Sequence, residues 1–150
     1  MLELAQTTES KHRSILALAV ELEGAIGAAT PSNSLALFHL RFRFYSALSR
    51  RLHYLDHVFA SRLRLIHDQS VERNARLLSA SARSLADAVA RWLDAWPGPR
   101  IARDWPGFRA DTRALLATVK QHVRRDLRRT EALLADDAYF SRGMPLLAAA

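Results

Sequence analysis

The sequence predicts an all-α protein in which four helices form a bundle, running alternately up and down. Apolar residues recur at spacings of three and four through most of the chain, and the breaks between these stretches are short. No stretch shows the strict alternation that is typical of a strand. A length of 150 residues fits one domain. We expect residues 1–150 to be that domain, with a core at about 8–135 and a flexible C-terminal tail.

The first helix is predicted to begin at Thr7 or Thr8, either of which can serve as an N-cap, and to end near Ile26. His12 lies near the centre of its apolar stripe at 100° per residue. A break follows at residues 28–34, which contain a proline and two residues suited to cap the next helix.

The second helix is predicted to be unusually long, since residues 35–67 contain neither Gly nor Pro. His53 and His57 lie on its polar face and are expected to point mostly at solvent. Its apolar stripe is predicted to contain Phe38, Tyr45, Leu48, Leu52, Leu55, Phe59, Leu63 and Ile66.

The third and fourth helices are predicted on either side of the strongest breaker in the chain. The third spans about residues 70–96 and ends at the Pro-Gly-Pro sequence of 97–99. Residues 100–107 form a connector, and the fourth helix takes about 108–134. Residues 144–150 form a short apolar tail.

The composition excludes several classes of protein. No Cys is present, which excludes disulfides, thiolate metal sites and cysteine nucleophiles. No apolar stretch is long enough to span a membrane, and the N-terminus does not resemble a secretory signal, so we expect a cytoplasmic protein. The net charge is +7, but the arginines are interleaved with apolar residues, so nucleic acid is not an expected partner.

Four polar residues are predicted to lie on or near the inward faces. His12 is early in the first helix, whereas Asp56 in the second and His122 and Asp126 in the fourth are late. In antiparallel helices these positions meet at one end of the core. A His and a carboxylate one turn apart can bind a metal, so the four residues are candidate metal ligands. Alternatively, they are structural polar residues with ordinary hydrogen-bond partners.

The chain resembles the hemerythrin-like (HHE) domains, four-helix bundles that hold non-haem iron through His and carboxylate ligands. The resemblance covers most of residues 8–135. The first helix, SKHRSILALAVELEGAI, is similar to the family's first helix, and the second-helix segment RRLHYLDHVFASRL is similar to the family's H-L-x-x-E-D pattern. The last helix, FRADTRALLATVKQHVRRDLRR, and the connection from WLDAW to DWPGF also resemble the family. The resemblance implies His12, Asp56, His122 and Asp126 as metal ligands.

The departures from the family pattern indicate an incomplete iron site. Arg51 stands where a ligand His belongs, Leu55 stands where a ligand Glu belongs, and the third helix lacks His near its start. Four candidates are too few for a di-iron centre. Arg51 would also bring a positive charge toward a cation site.

Two functions remain open. In the first, the bundle holds no cofactor and is a non-enzymatic regulatory module that binds a protein partner, or itself. The docking surface is then an apolar helical face such as the region of Phe42 and Phe44, or the apolar LLAAA tail. In the second, the four candidate ligands hold one iron or zinc ion in a sensor or storage protein that responds to O2, NO or redox state. No phosphate loop, nucleophile elbow or zinc-protease motif supports an enzyme.

Overall fold

The computed structural model describes residues 2–30 and 33–143, and within them every regular element is helical. The all-α prediction is therefore confirmed for these residues, whereas the predicted tail at 144–150 lies outside them. None of the described helices is both long and apolar enough to cross a membrane. The elements in chain order are α1 (Leu2–Gly27), α2 (Ser34–Tyr54), a π-helical turn (Leu55–Phe59), α3 (Ala60–Leu63), a 3-10 turn (Arg64–Ile66), α4 (Gln69–Ala95), α5 (Gly98–Arg103) and α6 (Trp105–Gly143).

Helix α1 begins more than a turn before the predicted start at Thr7 or Thr8. The Thr8 hydroxyl does not cap the helix; it donates to the carbonyl oxygen of Leu4, 2.7 Å away and one turn earlier. A threonine inside a helix commonly makes this bond. The predicted start is wrong because neither Gly nor Pro interrupts the chain before Gly24.

The second predicted helix is confirmed as a nearly continuous run of helical turns from 34 to 66. Asn33 caps it, and the Asn33 side-chain oxygen accepts from the Ala36 backbone N–H at 3.0 Å. The run contains two irregularities that the sequence analysis did not predict, the π-helical turn at Leu55–Phe59 and the 3-10 turn at Arg64–Ile66. A π turn holds one residue more than an α turn, so it rotates the face presented by the residues that follow.

This rotation changes which residues of α2 face the core. Leu37 and Phe44 are buried, whereas Phe38 is 59% exposed and Tyr45 is only partly buried. A regular helix with 100° per residue would place Phe38 on the same face as Leu63. The extra residue of the π turn shifts this position by one, so Leu37 is buried instead. The prediction of Phe38 as a core residue is therefore wrong.

Helix α4 closely matches its prediction. Asp68 is the N-cap, and its carboxylate accepts from the backbone N–H groups of Ser70 and Val71 at 2.7 and 3.1 Å.

The predicted connector at 100–107 is mostly helical. It contains most of α5, which begins at Gly98 within the Pro-Gly-Pro sequence, and the start of α6. The Asp104 carboxylate accepts from the Gly107 backbone N–H at 2.9 Å and so closes the first turn of α6. Helix α6 continues well beyond the predicted end near Leu134.

Each of the four long helices packs against two others. Helix α1 contacts α2 and α6, and α4 contacts the same two helices. The Tyr54 hydroxyl at the end of α2 donates to the Leu4 carbonyl at the start of α1 (3.4 Å), and the Trp105 indole at the start of α6 donates to the Ala28 carbonyl just after α1 (3.0 Å). These contacts place the start of α1 beside the end of α2, and the end of α1 beside the start of α6.

Candidate functional site: a buried polar layer

The apolar core consists of two separate clusters with a polar layer between them. The larger cluster contains all three tryptophans and the second half of α1, and the smaller surrounds the π-helical turn and the start of α4. Between them, each long helix contributes one buried polar side chain: His12, Arg51, Ser81 and Asp126. A polar residue from every helix at one level is the most distinctive feature of the interior.

An ion pair lies at the centre of this layer. The Arg51 guanidinium donates to Asp126 Oδ2 at 2.5 Å, and the two side chains are 1% and 0% exposed. The Ser81 hydroxyl donates to the same carboxylate oxygen at 2.8 Å. Burial lowers the pKa of Arg51, and the Asp126 charge and hydrogen bond oppose this. Arginine stays protonated in proteins, so the layer holds a cation and an anion that compensate each other.

His12 adjoins this pair and is neutral at pH 7. Its pKa is lowered from 6.5 to about 4, first by burial and then by the positive charge of Arg51, and Asp126 opposes this shift. Its Nδ1 lies 2.7 Å from the Thr8 carbonyl oxygen. Because a carbonyl can only accept, Nδ1 carries the proton and Nε2 is a bare acceptor. Among the described residues Nε2 has no hydrogen-bond partner, and neither does Asp126 Oδ1.

His122 lies at the edge of the same layer. Its Nδ1 is 3.4 Å from the Ser81 hydroxyl, and the side chain is partly buried. Burial is the largest cause that lowers the His122 pKa, and Arg125 is the next. His122 is therefore the one histidine of the layer that solvent reaches.

The fourth candidate, Asp56, lies apart from the other three. Its carboxylate accepts from Arg83 at 2.8 Å on the outer side of α4, where both side chains line an open groove of about 580 Å³. Asp56 belongs to the π-helical turn, and the sequence analysis placed it near the apolar face by assuming a regular helix. The structure therefore brings His12, His122 and Asp126 together and leaves Asp56 outside.

Sequence reasoning missed the partners of Asp126. The resemblance placed Arg51 at a ligand position, but nothing in the sequence indicated that it would bind Asp126 across the core. Ser81 gave a signal that was overlooked, because it stands between Leu78 and Leu85 at the spacing of the buried face of α4. A small hydroxyl on an apolar stripe is suited to bond a buried carboxylate.

In the part of the chain that the structure describes, no three His, Cys, Asp or Glu side chains are arranged to hold a metal ion. Comparison with models of protein families, with characterised proteins and with solved structures found no match to this chain.

Proposed function

We propose that this chain is a hemerythrin-like, up-down-up-down four-helix bundle whose core holds an arginine–carboxylate pair in place of a metal centre. We further propose that it is a non-enzymatic regulatory module that binds a protein partner. The observation that carries the proposal is the buried pair of Arg51 and Asp126, which lies where the resemblance expects metal ligands.

The contacts between helix ends support the arrangement. The start of α2 meets the end of α4, where the Arg41 guanidinium donates to the Trp96 carbonyl at 2.7 Å. Farther along, the Trp92 indole of α4 donates to the Thr112 hydroxyl of α6 at 3.1 Å. With the contacts at the two ends of α1, these bonds are what an alternating bundle produces.

The residues of the layer do not suit a resident metal ion. Arg51 already neutralises Asp126, and the guanidinium would repel a second cation. At an effective dielectric constant of 20, two unit charges about 4 Å apart repel each other by about 4 kcal/mol, and a divalent ion roughly doubles this. The Ser81 hydroxyl also binds the carboxylate oxygen that faces Arg51. The layer is therefore better suited to hold the four helices in register than to bind metal.

One observation favours the alternative, a metal-binding sensor or storage protein that uses iron or zinc. His12 Nε2 and Asp126 Oδ1 have no hydrogen-bond partner among the described residues, and both are atoms that can ligate. The alternative requires the Arg51 side chain to leave the layer so that a metal can take its place.

Metal analysis distinguishes the two functions. The protein is expressed in iron-supplemented cells, purified without oxygen and analysed by mass spectrometry for iron and zinc, beside the His122→Ala variant. We expect background metal in both proteins. Near-stoichiometric metal in the wild type that disappears in His122→Ala would overturn the proposal and establish the alternative.

A gain-of-metal variant provides the positive control. Arg51→His removes the competing cation and adds an imidazole beside His12, His122 and Asp126, a set of nitrogen and oxygen donors suited to tetrahedral zinc. We expect this variant to bind zinc, and the double variant Arg51→His/His122→Ala to bind it more weakly. If Arg51→His binds no more metal than the wild type, then Arg51 is not what excludes a metal ion from the layer.

A further inference from the structure

The outer face of α2 carries an apolar stripe that nothing in the described part of the chain covers. Leu35, Phe38 and Phe42 stand at spacings of three and four and are 65%, 59% and 58% exposed. Phe44, which the sequence analysis grouped with Phe42 as a docking residue, is fully buried instead. Exposed aromatic and aliphatic side chains on one face of a helix are typical of a surface that packs against another molecule.

A notch of about 90 Å³ adjoins this stripe. It lies between the start of α2 and α5 and is lined mainly by Leu37, Phe38, Arg41 and Ile101. Its size suits one side chain. Arg41 is 5% exposed, and its Nε has no hydrogen-bond partner in the described residues. The notch therefore offers a mainly apolar lining that one arginine borders.

The charges next to the stripe are mainly positive. Helix α2 contains no Asp or Glu and carries Arg43 and Arg50 outside the core. Arg43 Nη1 lies 3.3 Å from Glu21 Oε2, so one acidic side chain of α1 reaches this face. Helix α5, beside the notch, adds Arg100 and Arg103. A molecule that lies along this face meets apolar groups in the middle and mainly arginines around them.

We propose that the outer face of α2 binds an acidic amphipathic helix of a partner protein. The apolar side of that helix covers Leu35, Phe38 and Phe42, one of its side chains enters the notch, and its carboxylates face the surrounding arginines. The inference rests on the proposed function as a partner-binding module and specifies the partner's chemistry.

A second copy of this chain fits less well as the occupant. It would set one arginine-rich α2 face against another, and α2 itself carries no Asp or Glu to pair with the arginines of the other copy. Like charges across an interface are costly.

The test uses a displayed library of helical peptides about 20 residues long. Each peptide has a fixed stripe of leucines, and all the remaining positions are varied among Glu, Gln and Lys. Selection against the full chain is expected to enrich Glu. The affinity of the selected peptides is expected to fall about tenfold or more in Phe38→Ala/Phe42→Ala, because the large central side chains of an interface dominate its affinity. Val20→Ala is the matched control, since Val20 is 61% exposed on α1, and it should leave the affinity unchanged.

Several results would overturn the inference: selected peptides without enrichment of Glu, an equal loss of affinity in the Val20 control, or no selected binder at all. Phosphatidylcholine vesicles with and without phosphatidylserine form a second arm. If the protein binds the anionic vesicles, needs Phe38 and Phe42 to do so and binds no peptide, then the face is assigned to a membrane surface instead. Metal content is measured on the same preparation. A metal-free protein that selects no acidic peptide contradicts this inference alone, whereas stoichiometric metal contradicts the proposed function whatever the peptides do.

Discussion

The ion pair in the polar layer leads to a prediction about which substitutions the bundle tolerates. Arg51→Met removes the guanidinium and leaves the Asp126 carboxylate, which is 0% exposed, with only the Ser81 hydroxyl as a hydrogen-bond donor. Arg51→Met/Asp126→Leu removes both charges and fills the layer with side chains of similar size. The two variants separate the cost of an unpaired charge from the net contribution of the pair.

The magnitude follows from burial. Breaking a buried pair by removing one partner costs about 3–5 kcal/mol, because the remaining charge stays out of water. Arg129 Nη1 lies 3.6 Å from Asp126 Oδ1 and offers partial compensation, so we expect Arg51→Met to lower the free energy of unfolding by about 3 kcal/mol. We expect the double variant to lie within about 1 kcal/mol of the wild type, since an apolar pair needs no desolvation of charge.

The assay is urea unfolding at pH 7, followed by tryptophan fluorescence and by far-UV circular dichroism. All three tryptophans lie in the larger apolar cluster, so coincident transitions would show that both halves of the core unfold together. Arg83→Met is the control. It breaks the ion pair of Arg83 with Asp56, whose two side chains are partly exposed, and such pairs contribute less than about 1 kcal/mol to the free energy of unfolding.

Either of two results would refute the reasoning. One is an Arg51→Met variant as stable as the Arg83→Met control, which would mean that solvent reaches Asp126. The other is a double variant that loses as much stability as Arg51→Met, which would mean that the loss does not come from an unpaired Asp126 carboxylate.

Two further predictions concern His12 and Arg41. The pKa of His12 is lowered from 6.5 to about 4 in the folded protein. As the pH falls, the unfolded chain therefore takes up a proton on this histidine before the folded protein does. We expect the free energy of unfolding to drop by about 3 kcal/mol between pH 6.5 and pH 4. Equilibrium unfolding across this range checks it, and a His12→Gln variant that keeps the full slope would contradict it. Arg41 donates to the Trp96 carbonyl and lies over the Trp92 ring, with 4.7 Å between the guanidinium carbon and the ring centroid. Because Arg41→Leu removes both contacts, we expect it to lower the free energy of unfolding by about 2–4 kcal/mol. Thermal melts check this, with Arg43→Leu as the control because it removes a surface arginine. We expect the control to lower the free energy of unfolding by less than about 1 kcal/mol. Equal losses in the two variants would be evidence against a structural role of Arg41.

The features that follow from local chemistry were predictable from the sequence. The four long helices follow from apolar spacing and from the positions of Gly and Pro, and Asn33 is a residue type suited to begin one. His12 and Asp126 are buried, as their places on the apolar stripes predict. These features depend on residues within a few turns of one another, so the sequence by itself determines them.

The composition of the polar layer was decided only by the tertiary structure. The π-helical turn rotates α2, so Phe38 points outward, Phe44 points inward and Asp56 leaves the group of candidate ligands. The partnership of Arg51 with Asp126 joins residues 75 positions apart. Helical periodicity specifies only which face of each helix is apolar. Which buried charges meet depends on how all four helices pack, because a charge in a core is tolerated only where another helix supplies its partner.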